Sequence, residues 1–256
     1  MHRISPWMVI LSASLLVSVA GEAQAEVPDG FYEIASDLGV VCYQKDYSGG
    51  SPDFVLSVDL TVAEVHSLTG TIGDPGVAQG SMGGDNPTLW RQSLSTFWTQ
   101  AQSAYTKPFA VLNGQFFSTN SDPTPLAFAL KMDGDPVSDG YGTLTEYPGQ
   151  MRLLELNNAS DLARVSTFTE TGYEAPNGAP DMIAGLDIEA DKGATSYTGR
   201  TFIGLNDANG DGVNETALIF VSSYARQADA AGVLSLIHIS EPTRLRRISY
   251  AVFCLK

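Results

Sequence analysis

Thr201-Phe-Ile-Gly-Leu-Asn-Asp-Ala-Asn-Gly-Asp-Gly-Val-Asn-Glu-Thr-Ala-Leu-Ile-Phe-Val-Ser222 is the stretch that decides the fold. Two apolar runs, 201–205 and 217–222, flank a segment dominated by Asn, Asp and Gly, the residues that supply reversals of chain direction. The pattern predicts a β-hairpin closed by a polar loop. Outward from it, residues 40–43, 54–60, 109–112, 126–132, 151–156 and 165–169 are β-branched or aromatic-rich runs separated by Gly, Pro, Asp and Asn, and each predicts a strand. One helix is expected. Asn86 and Pro87 suit a cap and first turn, and Leu89, Trp90, Leu94, Phe97, Trp98, Ala101 and Tyr105 follow at helical spacing until Lys107-Pro108. Those aromatics read as core packing, and the Gly-rich stretch 70–84 reads as a loop. The expected class is α+β: a mixed, mostly antiparallel β-sheet with one main amphipathic helix.

Both ends of the chain read differently from its middle. Met1-His-Arg precedes an apolar run over 7–20, and Ala23-Gln-Ala25 places small residues where a signal peptidase cuts. Residues 1–25 are therefore expected to be a secretory signal peptide, giving a secreted or periplasmic domain with no membrane association after cleavage. The run is short for a membrane span and its far flank is acidic. At the other end, residues 234–256 begin Leu-Ser-Leu-Ile-His-Ile-Ser-Glu-Pro-Thr-Arg and resemble the in-frame translation of a sequencing-library adapter. The expectation is a non-native tail, leaving 26–233 as a domain incomplete at its C-terminus.

Charge and composition exclude several functions. The chain carries a net charge of −15, and setting both ends aside leaves 9 basic and 27 acidic residues, or −18. Such a surface repels nucleic acid and anionic membranes. Cys42 is the one cysteine and His66 the one histidine of this middle portion, so a His/Cys zinc site is not available. A Ser-His-Asp triad would have to use His66, which lies in the alternating stretch 62–68 and reads as a polar-face strand residue. Chemistry here must run on carboxylates, amides and arginine.

The hairpin loop is itself informative. Asp207, Asn209 and Asp211, with Gly212 at the sharp turn, reproduce the first half of a calcium loop; Val213 offers a carbonyl and Glu215 a further oxygen. Position twelve is Leu218, so the loop is not an EF-hand. Structural Ca2+ bracing the hairpin is one reading, and a polar turn without metal is the other.

Two further segments point to phosphate. Ala110-Val-Leu-Asn-Gly-Gln-Phe-Phe117 is an apolar run halting on Asn113-Gly114, a pair suited to a turn with positive φ that presents N–H groups and an amide to an anion. Gly199-Arg-Thr-Phe-Ile-Gly-Leu205 sets a guanidinium, whose planar fork matches phosphate oxygens, at the mouth of a strand. Over residues 108–233 the ordered set Asn113, Gly114, Phe116, Phe117, Arg200, Thr201, Gly204, Arg226 and Gly232 resembles the phosphodiester glycosidase family. Gln115 stands where that family has a second glycine, Tyr224-Ala225 where it has Asp-Gly, and its later Asp-Gly-Gly segment is absent.

The resemblance implies a hydrolase acting on a sugar-1-phosphodiester, with a carbohydrate phosphodiester as partner. Asn113, Gly114, Gln115, Phe116, Thr201 and Arg226 would bind substrate, Arg200 would hold the phosphate, and Asp187 is the nearest carboxylate on this chain to guide water. With the Asp-Gly-Gly carboxylate missing, little or no activity is expected of the polypeptide as written. The alternatives are a non-catalytic, calcium-braced surface or polysaccharide-binding protein, and an inhibitor or structural domain of unrelated fold.

Overall fold

The computed structural model describes residue 27, residues 29–236 apart from 76–78, 119, 143–144, 160, 176–177, 189, 191–192, 194 and 208, and residues 250–253. The expected signal peptide and most of the 234–256 tail lie outside the described residues. The elements run β1 (Tyr32–Asp37), β2 (Val40–Lys45), β3 (Asp53–Asp59), β4 (Ile72–Asp74), β5 (Thr88–Leu89), α1 (Leu94–Ala104), β6 (Thr124–Pro125), β7 (Leu130–Met132), β8 (Asp135–Ser138), β9 (Met151–Asn158), β10 (Leu162–Thr167), α2 (Glu170–Glu174), β11 (Asp181–Leu186), β12 (Thr198–Asn206), β13 (Thr216–Ala225), α3 (Gln227–Leu236) and β14 (Tyr250–Phe253). The fold is β-rich, mostly antiparallel, with few helices.

The predicted hairpin is the centre of the main sheet. β12 and β13 pair antiparallel from Asn206↔Thr216 to Thr198↔Ala225, and the strand order is β1-β2-β3-β13-β12-β14-β11-β7-β8, with β9 and β10 attached beside β11. β4, β5 and β6 form a separate three-stranded sheet. Side chains alternate across the main sheet as the period of two requires. Val55, Leu153, Met182, Ala184, Phe202 and Phe220 build one apolar cluster, whereas Leu56, Leu154, Ile183, Ile203, Leu205 and Ile219 build another. Both faces are thus buried, and the inner strands read as nearly continuous apolar runs rather than as alternating ones. Phe202 and Phe220, at 0% and 1% exposure, each contribute about 2–3 kcal/mol by leaving water.

Four expectations are corrected. Residues 109–112 are not a strand: Phe109 and Leu112 pack against the second cluster instead, so their apolar character serves packing and not a ladder. Of the expected strand 126–132 only Leu130–Met132 pairs as β7, with an isolated bridge Phe117↔Leu126. The helix begins late, because the Ser93 hydroxyl accepts from Thr96 N at 3.2 Å and caps it there, while Thr88–Leu89 joins the small sheet. That leaves α1 with 11 residues, close to the 10 of α3. The stretch around His66 is irregular backbone rather than strand.

β14 comes from the stretch expected to stand apart from the fold. Tyr250–Phe253 lies between β12 and β11, pairing Phe202↔Val252 on one side and Leu186↔Val252 on the other. β11 has β9 along one edge, while its other edge is shared by β7 at Met182 and Ile183 and by β14 at Leu186. The sheet therefore forks beside Ala184.

Candidate functional site

Gln115 fills that fork. Its Nε2 faces the carbonyl oxygens of Phe128, Ala129 and Ala184 at 3.4, 3.3 and 3.2 Å, and its Oε1 accepts from Phe116 N at 2.7 Å. A buried carbonyl without a donor is costly, and a side-chain amide substitutes for the strand partner that the divergence of β7 and β14 removes. Gln115 is thus a structural plug, not an amide offered to ligand. Phe116 is likewise core, edge-on to Phe128 with ring centroids 5.3 Å apart.

Asn113 and Gly114 are half-buried and line a cleft of about 1010 Å³ between the sheet's second face, α1 and the segments 60–70 and 106–117. The expected positive-φ turn is not formed: among the described residues, positive φ falls elsewhere, and the chain continues past Gly114 to bridge Leu126 through Phe117. The cleft floor is Leu56, Val58, Ile183, Ile203 and Ile219, and its walls carry Trp90, Arg91, Gln92, Tyr105 and Lys107. Apolar surface with a few polar and cationic groups is the usual lining of a small-ligand site.

Arg200 lies across the sheet from this cleft. It shares the face of Phe202, whereas Ile203, one residue on, belongs to the cleft floor. Arg200 is 1% exposed; its Nε donates to Ala225 O at 2.9 Å and its Nη2 to Gly193 O at 2.7 Å and Ser196 O at 3.1 Å. The guanidinium ties the 193–196 segment to the end of β13. The phosphate cradle expected from Arg200 and Asn113-Gly114 is therefore not assembled. Thr201 is fully buried, and its Oγ1 has no hydrogen-bond partner among the described residues.

Asp187 stands beyond the end of β11, paired with Arg152 and donating its N–H to Gln150 O at 2.7 Å. β14 separates it from β12, two strand spacings or about 10 Å away. Asp187 and Arg200 turn to different partners and do not form a pair. Arg226 is adjacent in sequence to Ala225, whose carbonyl Arg200 holds, so these two arginines do come near each other. Arg226 is exposed and forks onto Asp229 at 3.0 and 2.8 Å, with its guanidinium carbon 5.2 Å from the Tyr197 ring centre.

The hairpin loop gathers its acids. Asp207, Asp211 and Glu215 each offer an oxygen within 4.8 Å of the others. Asn209 presents its amide Nδ2 to Asp211 at 3.1 Å and to Glu215 at 2.6 Å, so it would have to turn its Oδ1 inward to ligate a cation. Asp211 Oδ1 accepts from Val213 N at 2.8 Å, which leaves the Val213 carbonyl as the group it could offer. The loop sits at the opposite end of β12 from Arg200, and Glu215 O accepts from Leu60 N at 2.7 Å, where the cleft wall begins. A cation there would brace the cleft, not Arg200.

Sequence reasoning passed over one constellation. His66 lines the cleft, stacked on Tyr105 at 4.5 Å, with Nε2 2.9 Å from Glu64 and Nδ1 3.6 Å from Asp181. Asp181 is 1% exposed and accepts from Asn157 Nδ2 at 2.9 Å and Ser67 N at 3.4 Å. The Asp181 contact raises the His66 pKa above its ordinary value, burial opposes this, and Glu64 adds to the rise. Burial pushes the Asp181 carboxyl up, yet its bonds from His66, Asn157 and Ser67 together outweigh that and hold it low. The sequence signal was slight: Asp181 and Asn157 lie 115 and 91 residues from His66.

Among the described residues no helix is long and apolar enough to cross a membrane. Compared with known proteins, the chain matches no family model, no curated protein and no solved structure.

Proposed function

We propose that this chain is a secreted or periplasmic, calcium-braced protein of α+β class, with α1 its main amphipathic helix, that binds a glycosyl phosphodiester in the cleft without cleaving it. The observation that carries this reading is the fate of Arg200: its donors hold backbone carbonyls on the far face, while Asn113 and Gly114 remain in the open cleft. Lys107 lines the same cleft and suits an anion, beside Arg91, which also pairs with Asp122 at 3.7 Å, while the acids Asp37 and Glu64 lie on the same lining; Trp90 and Tyr105 offer ring surface to a sugar. Asp207, Asp211 and Glu215 would hold Ca2+, with Asn209 and Val213 completing the oxygen set.

A second reading, hydrolysis as in phosphodiester glycosidases, keeps one observation in its favour, the Asn113-Gly114 segment at the cleft wall. It requires Arg200 and Asp187 to reach the substrate. Calorimetric titration with UDP-N-acetylglucosamine, run beside a release assay, separates the two. Saturable binding without sugar release, weakened at least fivefold by Asn113→Ala or Lys107→Ala, is expected. Absence of binding would sink the proposal, and sugar release by the unaltered protein would establish the hydrolase instead.

A further inference from the structure

The end of the main sheet away from the cleft carries a second, unassigned surface. β2 ends at Lys45, β3 begins at Asp53, β13 ends at Ala225 and β12 begins at Thr198, and these four strands are neighbours. Their ends bring together three large exposed aromatics: Tyr47 at 45%, Tyr197 at 49% and Tyr224 at 70% exposure. Single exposed aromatics are ordinary, but a grouped and oriented set is not. Tyr197 and Tyr224 stack with centroids 4.8 Å apart and planes 18° from parallel. Arg226 lies 5.2 Å from the Tyr197 ring centre, and Lys45 Nζ lies 5.8 Å from that of Tyr47.

The surface is held in place from beneath. Arg200 ties Ser196 O and Ala225 O, the carbonyls next to Tyr197 and Tyr224 in the chain, to one buried guanidinium. Tyr224 N donates to Ser222 Oγ at 3.0 Å, and the Tyr47 hydroxyl donates to Asp53 at 2.7 Å. Rings fixed in advance lose little entropy on binding, which is what a stacking site needs. Charge at this end is mixed: Arg226 forks onto Asp229, Lys45 stands opposite Asp53 in the β2–β3 register with its Nζ donating to Asp29 O, and Asp46 accepts from Tyr32 and Gln44. A neutral ligand is therefore favoured over a polyanion or a cationic partner.

The geometry points to a pyranose platform: Tyr224, backed by Tyr197 and Arg226 and flanked by Tyr47, takes the flat C–H face of a neutral, glucose-configured sugar unit. Equatorial hydroxyls leave both faces of such a ring apolar, matching an aromatic face. A ring stacked on one side and 70% exposed turns its other side to solvent. This goes beyond the phosphodiester reading of the cleft and does not depend on it.

Affinity electrophoresis of the full chain in gels containing hydroxyethylcellulose, a neutral β-1,4-glucan, tests the platform. Retardation is expected for the unaltered protein and for the cleft variant Trp90→Ala. Tyr224→Ala should weaken it at least tenfold and Tyr197→Ala should weaken it measurably, while Tyr224→Trp retains it. Unretarded unaltered protein, unchanged retardation of Tyr224→Ala, or equal retardation in alginate gels would overturn the proposal. Tyr224 is exposed enough for its truncation to leave the fold intact, which an unchanged melting curve verifies. Loss of UDP-N-acetylglucosamine binding by Asn113→Ala reports on the cleft alone, so the two readings fail separately.

Discussion

Arg200 Nη2 lies 2.7 Å from the carbonyl oxygen of Gly193, seven residues earlier in the chain, and this contact turns an expected ligand-binding arginine into a structural one. Removing the guanidinium takes the donor from the buried carbonyl of Ala225 and from those of Gly193 and Ser196 in the exposed segment it ties down. Arg200→Met should lower unfolding stability by about 3 kcal/mol or more, and Arg200→Lys should recover only part of it because one ammonium cannot reproduce the fork. Urea titration of the variants checks this. A loss below about 0.5 kcal/mol would contradict the brace.

Gln115→Gly, the change toward the residue of the glycosidase motif, is expected to destabilise rather than to create a site. The amide satisfies carbonyls at the fork of β7 and β14, and its loss costs about 1–3 kcal/mol. Denaturant midpoints of Gln115→Gly and Gln115→Leu should both fall.

Calcium should raise the melting temperature. At a hundredfold excess over its dissociation constant a specific ligand adds about 2.7 kcal/mol to stability. Asp207→Asn combined with Asp211→Asn removes two carboxylates of the cluster and should abolish the rise. Identical melting curves with calcium chloride and with chelator would remove the metal from the account.

His66 makes stability depend on pH with a definite sign. Its pKa in the folded chain is raised from 6.5, so its contribution is fully present below about pH 6.5 and is lost as pH climbs through the raised value. The Asp181 pKa is lowered from 3.8; its contribution is present above that value and disappears as pH falls through the depressed one. His66→Ala should thus reduce unfolding free energy more at pH 5.5 than at pH 8.5, measured by urea titration at both. Equal losses would show that only the stacking on Tyr105 matters.

The hairpin of β12 and β13 and the strands β2, β3 and β9 are legible from sequence, because their apolar runs are bounded by turn residues and their burial follows local pattern. The same signal misleads at 109–112, where Phe109 and Leu112 are equally apolar but pack beneath the sheet without pairing. Ser93 cuts the expected helix short, since a hydroxyl able to cap competes with apolar periodicity that runs straight through it. By sequence Arg200 and Gln115 are assigned to a ligand, whereas in the structure both donate to backbone carbonyls: Arg200 to the preceding segment at Gly193 and Ser196 and to Ala225 on the neighbouring strand, Gln115 to Phe128, Ala129 and Ala184, pairings that no local motif announces. The meeting of Asp181 with His66, and of Tyr197 with Tyr224, depends on strand order and lies outside any reading by spacing.

β14 has a consequence for how this molecule behaves among its copies. It is an antiparallel wedge between β11 and β12, which consequently run in the same direction. Withdrawing Tyr250–Phe253 would leave two inner edges facing each other about 10 Å apart, too far to bond together and spaced to admit one more strand. A shortened polypeptide would carry a socket shaped for its own kind, and its assembly state would then report whether the seam is filled from within or by a neighbour.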